Sequence, residues 1–429
     1  MNTERPKKGP KTALVLAGGG LTGAVYEIGA LRAIDDLLID RTVNDFDIYV
    51  GTSAGALVAS MLVNGISPEE MLQVIQGSNP EIQSIERQHV FNIDRGEMLS
   101  WGLHLPQKLL GAWFAFLRNA GEMTLFDLLW SLTNALPSGL YDGRGLERYI
   151  RLVLDKVGYS NSFEEVPRDL HIIATDLNTG KRVVFSRDEH SSVPISWAVA
   201  ASSAVPLLYK PVRIDGRDYV DGGLRGNASL DLAIEHGAEL VVCINPMVPY
   251  IHPEEGALPG QVPHSGLRER GIQSIANQTL HIITSAGLHY HVKQLRRSHP
   301  DVDIILIEPH PQDEEMFFNN IMHYASRLTV AQHGFESATL DLAEYYPLYK
   351  QILARHGILI SRRLVIEEIA EIQASGYDQR VIRKVLEART SRCGRRSSGD
   401  QLCELDRVLA DLEFTLKGLT LSATPELSR

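Results

Sequence analysis

This chain of 429 residues has few cysteines, fewer basic than acidic residues and no long apolar runs, and these features exclude several classes of protein. Three cysteines, Cys243, Cys393 and Cys403, are too sparse and uneven a set for a disulfide framework, so we expect a reducing, cytoplasmic environment. Lys and Arg number 42 against 53 Asp and Glu, and the formal net charge of −11 argues against nucleic acid as a partner. No uncharged apolar run reaches the ~18 residues needed to cross a bilayer, which predicts a soluble or peripheral protein.

The first apolar run, Thr12 to Ala17, follows Lys7, Lys8 and Lys11 and so resembles the beginning of a signal peptide. It stops after six residues at three consecutive glycines, which is too short for that role. A buried β-strand followed by a glycine-rich turn explains the same pattern, and we predict that structure.

Short apolar runs recur along the chain, with helical patterns between them. Strands that are apolar throughout, rather than alternating, are typical of a parallel sheet with helices on both faces. We therefore predict the α/β fold class with a mostly parallel central sheet. The predicted strands are Ala13 to Leu16, Ile48 to Val50, Leu170 to Ala174, Leu240 to Ile244 and Ile304 to Ile307.

A helical insertion interrupts this alternation between about residues 78 and 143, and it contains the most apolar stretch of the chain. Its clustered aromatic residues are Trp113, Phe114 and Phe116. One interpretation is a helix buried in the core. The other is a lid over an apolar pocket, with these three side chains facing lipid at a membrane surface. Both interpretations stay open.

The last part of the chain is predicted to form helices of high charge density, Val365 to Ala374, Gln379 to Ala388 and Gln401 to Lys417. Residues 389–399 are polar and basic and contain glycine, which is typical of a solvated loop. We predict a helical C-terminal extension over 347–429, appended to a larger domain.

A serine lies between a predicted strand and a predicted helix, in the sequence Gly51-Thr52-Ser53-Ala54-Gly55. A sharp strand-to-helix turn needs glycine on both sides, because a Cβ there would collide with the neighbouring backbone. The following helix points its N-terminal amides and positive dipole end at the serine oxygen. The pattern predicts that Ser53 is a nucleophile and that Gly51 and Gly55 shape the turn.

The glycine run Gly18-Gly19-Gly20-Leu21-Thr22-Gly23 follows the first predicted strand and has two interpretations. Its spacing matches the G-x-G-x-x-G fingerprint of dinucleotide-binding proteins, and Asp45 or Asp47 lies where an acid could hold a ribose. Alternatively, bare backbone amides at a helix N-terminus form an oxyanion hole for acyl transfer. The second interpretation is favoured because it also uses the turn at Ser53, which a cofactor-binding unit does not need.

A serine nucleophile needs a base, and a carboxylate is the better candidate here. In Asp221-Gly222-Gly223 the two glycines let the backbone turn sharply and place the carboxylate near the serine. A Ser-His-Asp arrangement would instead require a histidine on a late loop. None of the 15 histidines stands in a turn that singles it out. We predict Asp221 as the base.

Taken in order, these motifs resemble the patatin-like phospholipase family, whose pattern is G-G-G-x-[R/K]-G, then G-x-S-x-G, then D-G-[A/G]. Here the motifs are Gly18 to Gly23, Gly51 to Gly55 and Asp221 to Gly223. Residues 174–180 and 200–206 further resemble the family's central strand and the block that precedes its aspartate.

The resemblance implies a patatin-type three-layer fold for a domain over 11–346, with its core motifs in 14–235. The extension after residue 346 is not explained by those motifs. The implied activity is that of a serine hydrolase cleaving fatty acyl esters of phospholipids or related lipids, with no metal and no cofactor.

The implied mechanism is a Ser-Asp dyad with an acyl-enzyme intermediate: Ser53 would attack the ester carbonyl while Asp221 accepts its proton. Because aspartate is a weak base at neutral pH, we expect a dry pocket that raises its pKa. The implied oxyanion-hole residues are Gly18, Gly19, Gly20 and Gly23, and the implied turn residues beside the aspartate are Gly222 and Gly223.

One residue departs from the family pattern, since Thr22 stands where the family has Arg or Lys. Either Thr suffices to shape the loop, or substrate choice or activity is altered, because a cation there could favour an anionic headgroup. Two other functions stay open: acyl transfer to an alcohol, and a catalytically weak protein on the same fold that binds a membrane or a partner protein. The motifs carry no information on oligomeric state.

Overall fold

The computed structural model describes residues 11–92, 138–251, 271–313 and 324–387, together with the single positions 107, 110, 114, 269 and 317. The strands in these ranges are β1 (Lys11–Leu16), β2 (Ile48–Thr52), β3 (Gly139–Tyr141), β4 (Asp169–Asp176), β5 (Arg182–Phe185), β6 (Leu207–Tyr209), β7 (Val212–Ile214), β8 (Arg217–Asp221), β9 (Ala238–Ile244) and β10 (Asp303–Ile307). The helices are α1 (Gly20–Leu37), α2 (Ala54–Val63), α3 (Pro68–Gln76), α4 (Arg87–Val90), α5 (Arg144–Leu154), α6 (Ile195–Ser202), α7 (Leu230–Glu235), α8 (Ile272–Ser298), α9 (Tyr324–Glu344), α10 (Tyr346–Arg355), α11 (Arg363–Ala374) and α12 (Gln379–Glu387). Short 3-10 helices lie at Val43–Asp45 and Gly222–Leu224.

Eight of the described strands form one sheet, in the order β10-β9-β1-β2-β4-β8-β7, with β5 also paired to β4. The five strands predicted from apolar runs, β1, β2, β4, β9 and β10, are present and pair in parallel. The predicted α/β class with a mostly parallel sheet is therefore confirmed. The strands β5, β7 and β8 pair antiparallel, and β3 and β6 form a separate pair.

Both faces of the sheet are covered, because its strands carry apolar side chains on both sides. Along β1, Leu14 and Leu16 point into a large core shared with α1, α2 and α9. Ala13 and Val15 point the opposite way, into a second core that contains residues of α7 and α8. The sheet is thus the middle of three layers.

The helix α1 is fixed at the centre of the larger core by a close crossing with α9. A Cβ on Gly29 would lie 2.0 Å from the Ala331 carbonyl oxygen, and a Cβ on Gly334 would lie 2.3 Å from the Tyr26 carbonyl oxygen. Only glycine permits backbones to approach this closely. The crossing holds the N-terminus of α1, which carries the glycine run, in a defined position against the sheet.

The described part of the C-terminal extension, 347–387, shares this core. Residue 347 lies within α10, and buried residues of α11 and α12 pack in the same cluster as α1 and α3. The fully buried Arg32 of α1 contacts the extension directly, through Glu368 Oε1 at 3.1 Å and the Val385 carbonyl oxygen at 3.4 Å. The boundary between 346 and 347 stays a prediction from the change to densely charged helical patterns in the sequence.

Much of the predicted insertion lies outside the described residues, including Trp113 and Phe116. Phe114 is described and is helical, with 67% of its surface exposed. Residues 388–429 also lie outside the described part of the chain. Among the residues that are described, no helix combines the length and apolar character needed to span a membrane.

Candidate active site

Ser53 occupies the turn between β2 and α2, as predicted from the sequence. Its backbone has φ 53° and ψ −117°, in the left-handed region that non-glycine residues rarely adopt. A Cβ on Gly51 would lie 2.6 Å from Ala56 Cα, and a Cβ on Gly55 would lie 2.3 Å from the Leu16 carbonyl oxygen. The two glycines therefore let α2 turn back against β1 and β2. The strained turn places Ser53 just beyond the end of β2.

The Ser53 hydroxyl contacts the Asp221 carboxylate. Its Oγ donates a hydrogen bond to Asp221 Oδ2 at 2.5 Å, across 168 residues of sequence. The other carboxylate oxygen, Oδ1, accepts the Gly223 amide at 2.7 Å. The two residues that the motifs predicted as nucleophile and base are thus adjacent in the folded chain.

Pairing with β4 explains why these two side chains meet. Thr52, at the end of β2, pairs with Ile173, and Asp221, at the end of β8, pairs with the next residue, Ala174. The strand β5 pairs with both Ile173 and Ala174, so β2 and β8 must share the opposite edge of β4. The two strand ends therefore face each other along that edge, with Ser53 and Asp221 at the junction.

Two serines at the end of α6 fix the backbone of the turn. The Ser53 amide donates to Ser202 Oγ at 2.8 Å, and Ser202 Oγ donates in turn to the Ile173 carbonyl oxygen at 2.5 Å. The Ser203 hydroxyl donates to the Ser53 carbonyl oxygen at 3.3 Å. From the sequence alone, this segment is recognised only as a block that resembles the family. The signal in the sequence is the pair of consecutive serines at the end of an apolar helix, because such hydroxyls need hydrogen-bond partners.

The backbone of Asp221 is held just as closely. Its amide donates to the Ala204 carbonyl oxygen at 2.9 Å, and the Thr175 hydroxyl donates to its carbonyl oxygen at 3.1 Å. Asp221 and Ser53 are 7% and 4% exposed. Burial raises the pKa of the Asp221 carboxyl to about 6, although hydrogen bonds from Ser53 and Gly223 lower it. This direction agrees with the expected dry pocket.

The glycine run lies directly beside Ser53. A Cβ on Gly18 would be 3.3 Å from Ser53 Cβ, and a Cβ on Gly23 would be 4.0 Å from Ala54 Cβ. A Cβ on Gly19 would clash with Pro246 Cγ at 2.6 Å, so the loop can pass this close only without side chains. The loop and the turn therefore converge as the oxyanion-hole hypothesis requires.

The amide hydrogen bonds correct the predicted set of oxyanion donors. The Gly18 amide donates to the Asn227 carbonyl oxygen at 3.1 Å, and the Gly23 amide donates to the Gly19 carbonyl oxygen at 2.9 Å. Both amides are thus engaged in backbone bonds, which removes Gly18 and Gly23 from the set. Gly19 and Gly20 remain, and Gly20 begins α1 with a φ of 61°.

A chain of hydrogen-bonded, buried side-chain amides holds the glycine loop in place. No sequence motif predicts these amides. Asn227 Nδ2 donates to the Gly18 carbonyl oxygen at 3.2 Å and to Asn245 Oδ1 at 2.9 Å. Asn245 Nδ2 donates to Glu308 Oε1 at 2.7 Å. Because Asn227 follows Asp221 by six residues, one loop positions both the carboxylate and the glycine run.

The contacts of Asp45 and Asp47 argue against the dinucleotide interpretation. Asp45 accepts the Thr42 amide at 2.9 Å in a helix cap, and Asp47 accepts the Thr12 amide at 2.9 Å. Both carboxylates therefore stabilise local backbone. Among the described residues no histidine contacts Ser53 or Asp221, and no group of three or more His, Cys, Asp or Glu side chains could hold a metal ion.

Two openings are lined by residues that neighbour the site in sequence, one against each of the two cores. The first is an apolar cavity of about 30 Å³ on the α1 and α2 side, next to the glycine loop; its lining includes Leu21, Leu57, Val58, Met61 and Tyr149. The second is a more polar groove of about 410 Å³ on the α8 side, which the loop from Gly223 to Ser229 borders. The lining of this groove is mixed, with the charged Arg182, Arg225 and Asp231 beside the apolar Ile283 and Leu288.

Fold and site together define an α/β protein with a buried serine on a strand-to-helix turn, hydrogen-bonded to a carboxylate and flanked by a glycine loop. The family model described as patatin-like phospholipase matches residues 14–234. This match covers more than half of the chain and includes all three motifs. The chain belongs to the patatin-like phospholipase family.

Several curated proteins are similar over the same region. An uncharacterized protein of Acanthamoeba polyphaga mimivirus is 28% identical over 228 residues, which cover 52% of this chain and 62% of that protein. A probable lipid hydrolase of Invertebrate iridescent virus 6 is 21% identical over 52% of this chain and 63% of its own length. A cGAMP-activated phospholipase of Pseudomonas aeruginosa is 24% identical over 50% of this chain and 53% of its own length. The matches thus span less than two thirds of each relative.

Among solved structures, VipD from Legionella pneumophila is 16% identical to this chain, with a TM-score of 0.38. The superposition covers 79% of this chain and 67% of that one.

Proposed function

We propose that the protein hydrolyses fatty acyl esters of phospholipids or related lipids through a Ser53–Asp221 dyad and an acyl-enzyme. The observation that carries the proposal is the buried 2.5 Å hydrogen bond from Ser53 Oγ to Asp221 Oδ2. A base must lie within hydrogen-bond reach of the proton it removes, and this carboxylate does. Its raised pKa of about 6 makes it a better proton acceptor near neutral pH than an ordinary aspartate.

In the acylation step, Ser53 Oγ attacks the ester carbonyl carbon while its proton moves to Asp221 Oδ2. The carbonyl oxygen becomes an oxyanion, to which the Gly19 and Gly20 amides at the N-terminus of α1 would donate. As the carbon–oxygen bond of the ester breaks, Asp221 returns the proton to the departing alcohol oxygen. The acyl group is then bonded to Ser53.

In the deacylation step, water attacks the same carbonyl carbon and Asp221 accepts the water proton. The second tetrahedral intermediate collapses by releasing Ser53 Oγ, which takes the proton back from Asp221. The products are the free fatty acid and the starting enzyme. The dyad thus moves one proton in each half-reaction, and no metal or cofactor is involved in the proposed sequence.

The acyl chain is proposed to enter on the α1 and α2 side. The cavity there begins beside the glycine loop, at Leu21, and follows the face of α2 that carries Leu57, Val58 and Met61. Since its lining is almost entirely apolar, it favours a hydrocarbon chain over water. At about 30 Å³ it is narrow, so side chains at its mouth must move to admit a chain.

Two exposed leucines, each three residues from Asp221 or from Ala204, whose carbonyl accepts the Asp221 amide, support the proposed contact with a lipid surface. Leu207 is 85% exposed and has a φ of 70°, an uncommon backbone conformation for a leucine. Leu224, three residues after Asp221, is 58% exposed. Exposed apolar side chains beside a site for lipid can insert into the boundary of a bilayer and assist substrate transfer.

The proposal is tested by measuring fatty acid release from a panel of phospholipids, lysophospholipids and neutral glycerides. We expect release by the unmodified protein, a loss of at least about a hundredfold in Ser53→Ala and Asp221→Asn, and unchanged release in Ser298→Ala, an exposed serine on α8. A fluorophosphonate probe should label Ser53 only. Equal release by all variants would disprove the dyad. An added alcohol that becomes acylated would identify transfer rather than hydrolysis.

A further inference from the structure

The polar groove on the α8 side is directly connected to the residues that hold the dyad. One wall is the loop from Gly223 to Ser229, and the other is the segment of α8 that includes Ile283, Gly287 and Tyr290. Gly223 donates its amide to Asp221 Oδ1, and Asn227 donates its side-chain amide to the Gly18 carbonyl oxygen. One wall of the groove is therefore the loop whose amides hold the carboxylate and the glycine run.

Reaction chemistry assigns this side of the site to the alcohol part of an ester. The proton that Asp221 takes from Ser53 must pass to the departing oxygen, so the alcohol must leave on the Asp221 side. The apolar cavity lies on the opposite face of the sheet, among residues of the larger core. An ester bound with its acyl chain in that cavity would extend its alcohol part into the groove.

The groove has a surplus of positive charge. Arg182 is paired with Asp231 at 2.6 Å, and His291 lies 3.5 Å from the other oxygen of that carboxylate. Burial raises the pKa of Asp231, but the nearby His291 and the hydrogen-bonded Arg182 outweigh it and hold the value at about 2. Asp231 is therefore ionised at neutral pH and neutralises Arg182.

Arg225 supplies the surplus. It lies on the loop four residues after Asp221, is exposed, and lines the groove. Its backbone amide donates to the Gly222 carbonyl oxygen at 3.1 Å, which anchors the loop. Within the described residues its guanidinium forms no ion pair. An arginine that presents several donors beside a site for esters suits a phosphate oxygen well.

We propose that the groove binds the phosphate group of a glycerophospholipid, with Arg225 as its binding residue. This inference rests on the proposed hydrolase function for its orientation of the ester. Position 22, where the family pattern has Arg or Lys, carries Thr in this chain. Arg225 places a cation on the other side of the dyad, beside the leaving alcohol.

The test is a binding measurement with the Ser53→Ala protein, so that no probe is consumed. Three soluble probes are compared by calorimetry: octanoylglycerol phosphate, octanoylglycerol and glycerol phosphate. We expect the phosphorylated ester to bind at least about tenfold more tightly than the uncharged ester, because its phosphate gains charge-assisted hydrogen bonds. Glycerol phosphate alone should bind at least about tenfold more weakly than the phosphorylated ester, since it has no acyl chain.

The variants then assign the preference to a residue. In the same background, Arg225→Gln should reduce the preference for the phosphorylated ester about tenfold, whereas Arg225→Lys should retain most of it. The control is Arg213→Gln, an arginine on β7 that is 71% exposed and does not line the groove. It should leave the preference unchanged.

Three results would overturn the inference: no preference for phosphate, an equal loss in Arg225→Gln and Arg213→Gln, or glycerol phosphate binding as tightly as the acylated probe. The last would identify a site for free phosphate rather than for a lipid headgroup. Failure of the hydrolase proposal is a separate outcome. It would show as Arg225-dependent binding by a protein that releases no fatty acid even with Ser53 present.

Discussion

Ionisation of Asp221 is expected to reduce the stability of the fold, so a variant that cannot ionise should be more stable and inactive. The carboxyl is buried, and its pKa rises from 3.8 to about 6 on folding. At about 1.4 kcal/mol per pKa unit, this difference corresponds to about 3 kcal/mol. Asp221→Asn keeps the shape of the side chain and an acceptor for the Gly223 amide, but removes the buried charge.

The sign of the pH dependence follows from the raised pKa. The folded protein binds the Asp221 proton more tightly than the unfolded chain does. The stability that comes from this tighter proton binding is therefore fully present below about pH 3.8. It is lost as the pH rises through about 6. We therefore expect Asp221→Asn to exceed the unmodified protein by up to about 3 kcal/mol in free energy of unfolding at pH 8, and by less than about 1 kcal/mol at pH 4.

The assay is urea unfolding of both proteins at pH 4, 6 and 8, with fatty acid release measured in parallel. Asp176→Asn is the control, because burial raises the pKa of Asp176 but backbone hydrogen bonds from Thr179 and Asn178 lower it below its usual value overall. That variant should lose stability at neutral pH. If Asp221→Asn were less stable than the unmodified protein at pH 8, or if the difference did not change with pH, the reasoning about the buried carboxylate would be wrong.

Four further predictions follow from the same geometry. The kcat/KM for an uncharged lipid ester should rise as the pH increases through about 6, because only ionised Asp221 accepts the Ser53 proton; a maximum near pH 5 would contradict this. Gly55→Ala should abolish soluble expression or lower the Tm strongly, since its Cβ would lie 2.3 Å from the Leu16 carbonyl oxygen. The control is Gly287→Ala, whose added Cβ would have no atom within 4 Å, so its stability should be unchanged or slightly higher. Met61→Ala should enlarge the apolar cavity, cost about 3 kcal/mol of stability and shift turnover toward longer or branched acyl chains; an unchanged chain-length profile would separate the cavity from substrate binding. Leu207→Ser combined with Leu224→Ser should weaken co-sedimentation with lipid vesicles, while Leu340→Ser, 67% exposed on α9, should not.

The parallel strands could be predicted because their signal is local. An apolar run of three to five residues with a glycine just after it, as after Leu16 and Val50, needs both faces covered wherever it lies in the fold. The short strands β5, β7 and β8 carry polar residues and have no such signal. They form because β4 and its neighbours offer unpaired edges, which is a property of the assembled sheet.

The supporting residues of the site could not be found in this way. Ser202 and Asn227 act by hydrogen-bonding backbone groups that are distant in sequence, such as the Ser53 amide and the Gly18 carbonyl. The backbone carbonyl of Asn227 in turn accepts the Gly18 amide, although the motif predicts that amide as an oxyanion donor. A glycine run predicts a close approach of backbone, but which amides stay available depends on what packs beneath it.

The amino-acid sequence by itself determined the α/β class, the turn at Ser53 and the order of the three motifs, because each depends on neighbouring residues and on the steric freedom of glycine. The motifs predicted Asp221 as the base, but only the tertiary structure decided that its carboxylate lies within hydrogen-bond distance of Ser53. Those residues are 168 positions apart, and they meet because β2 and β8 end against consecutive residues of one edge of β4. Burial at that junction raises the pKa of Asp221, and it arises only when the sheet and its helices are assembled.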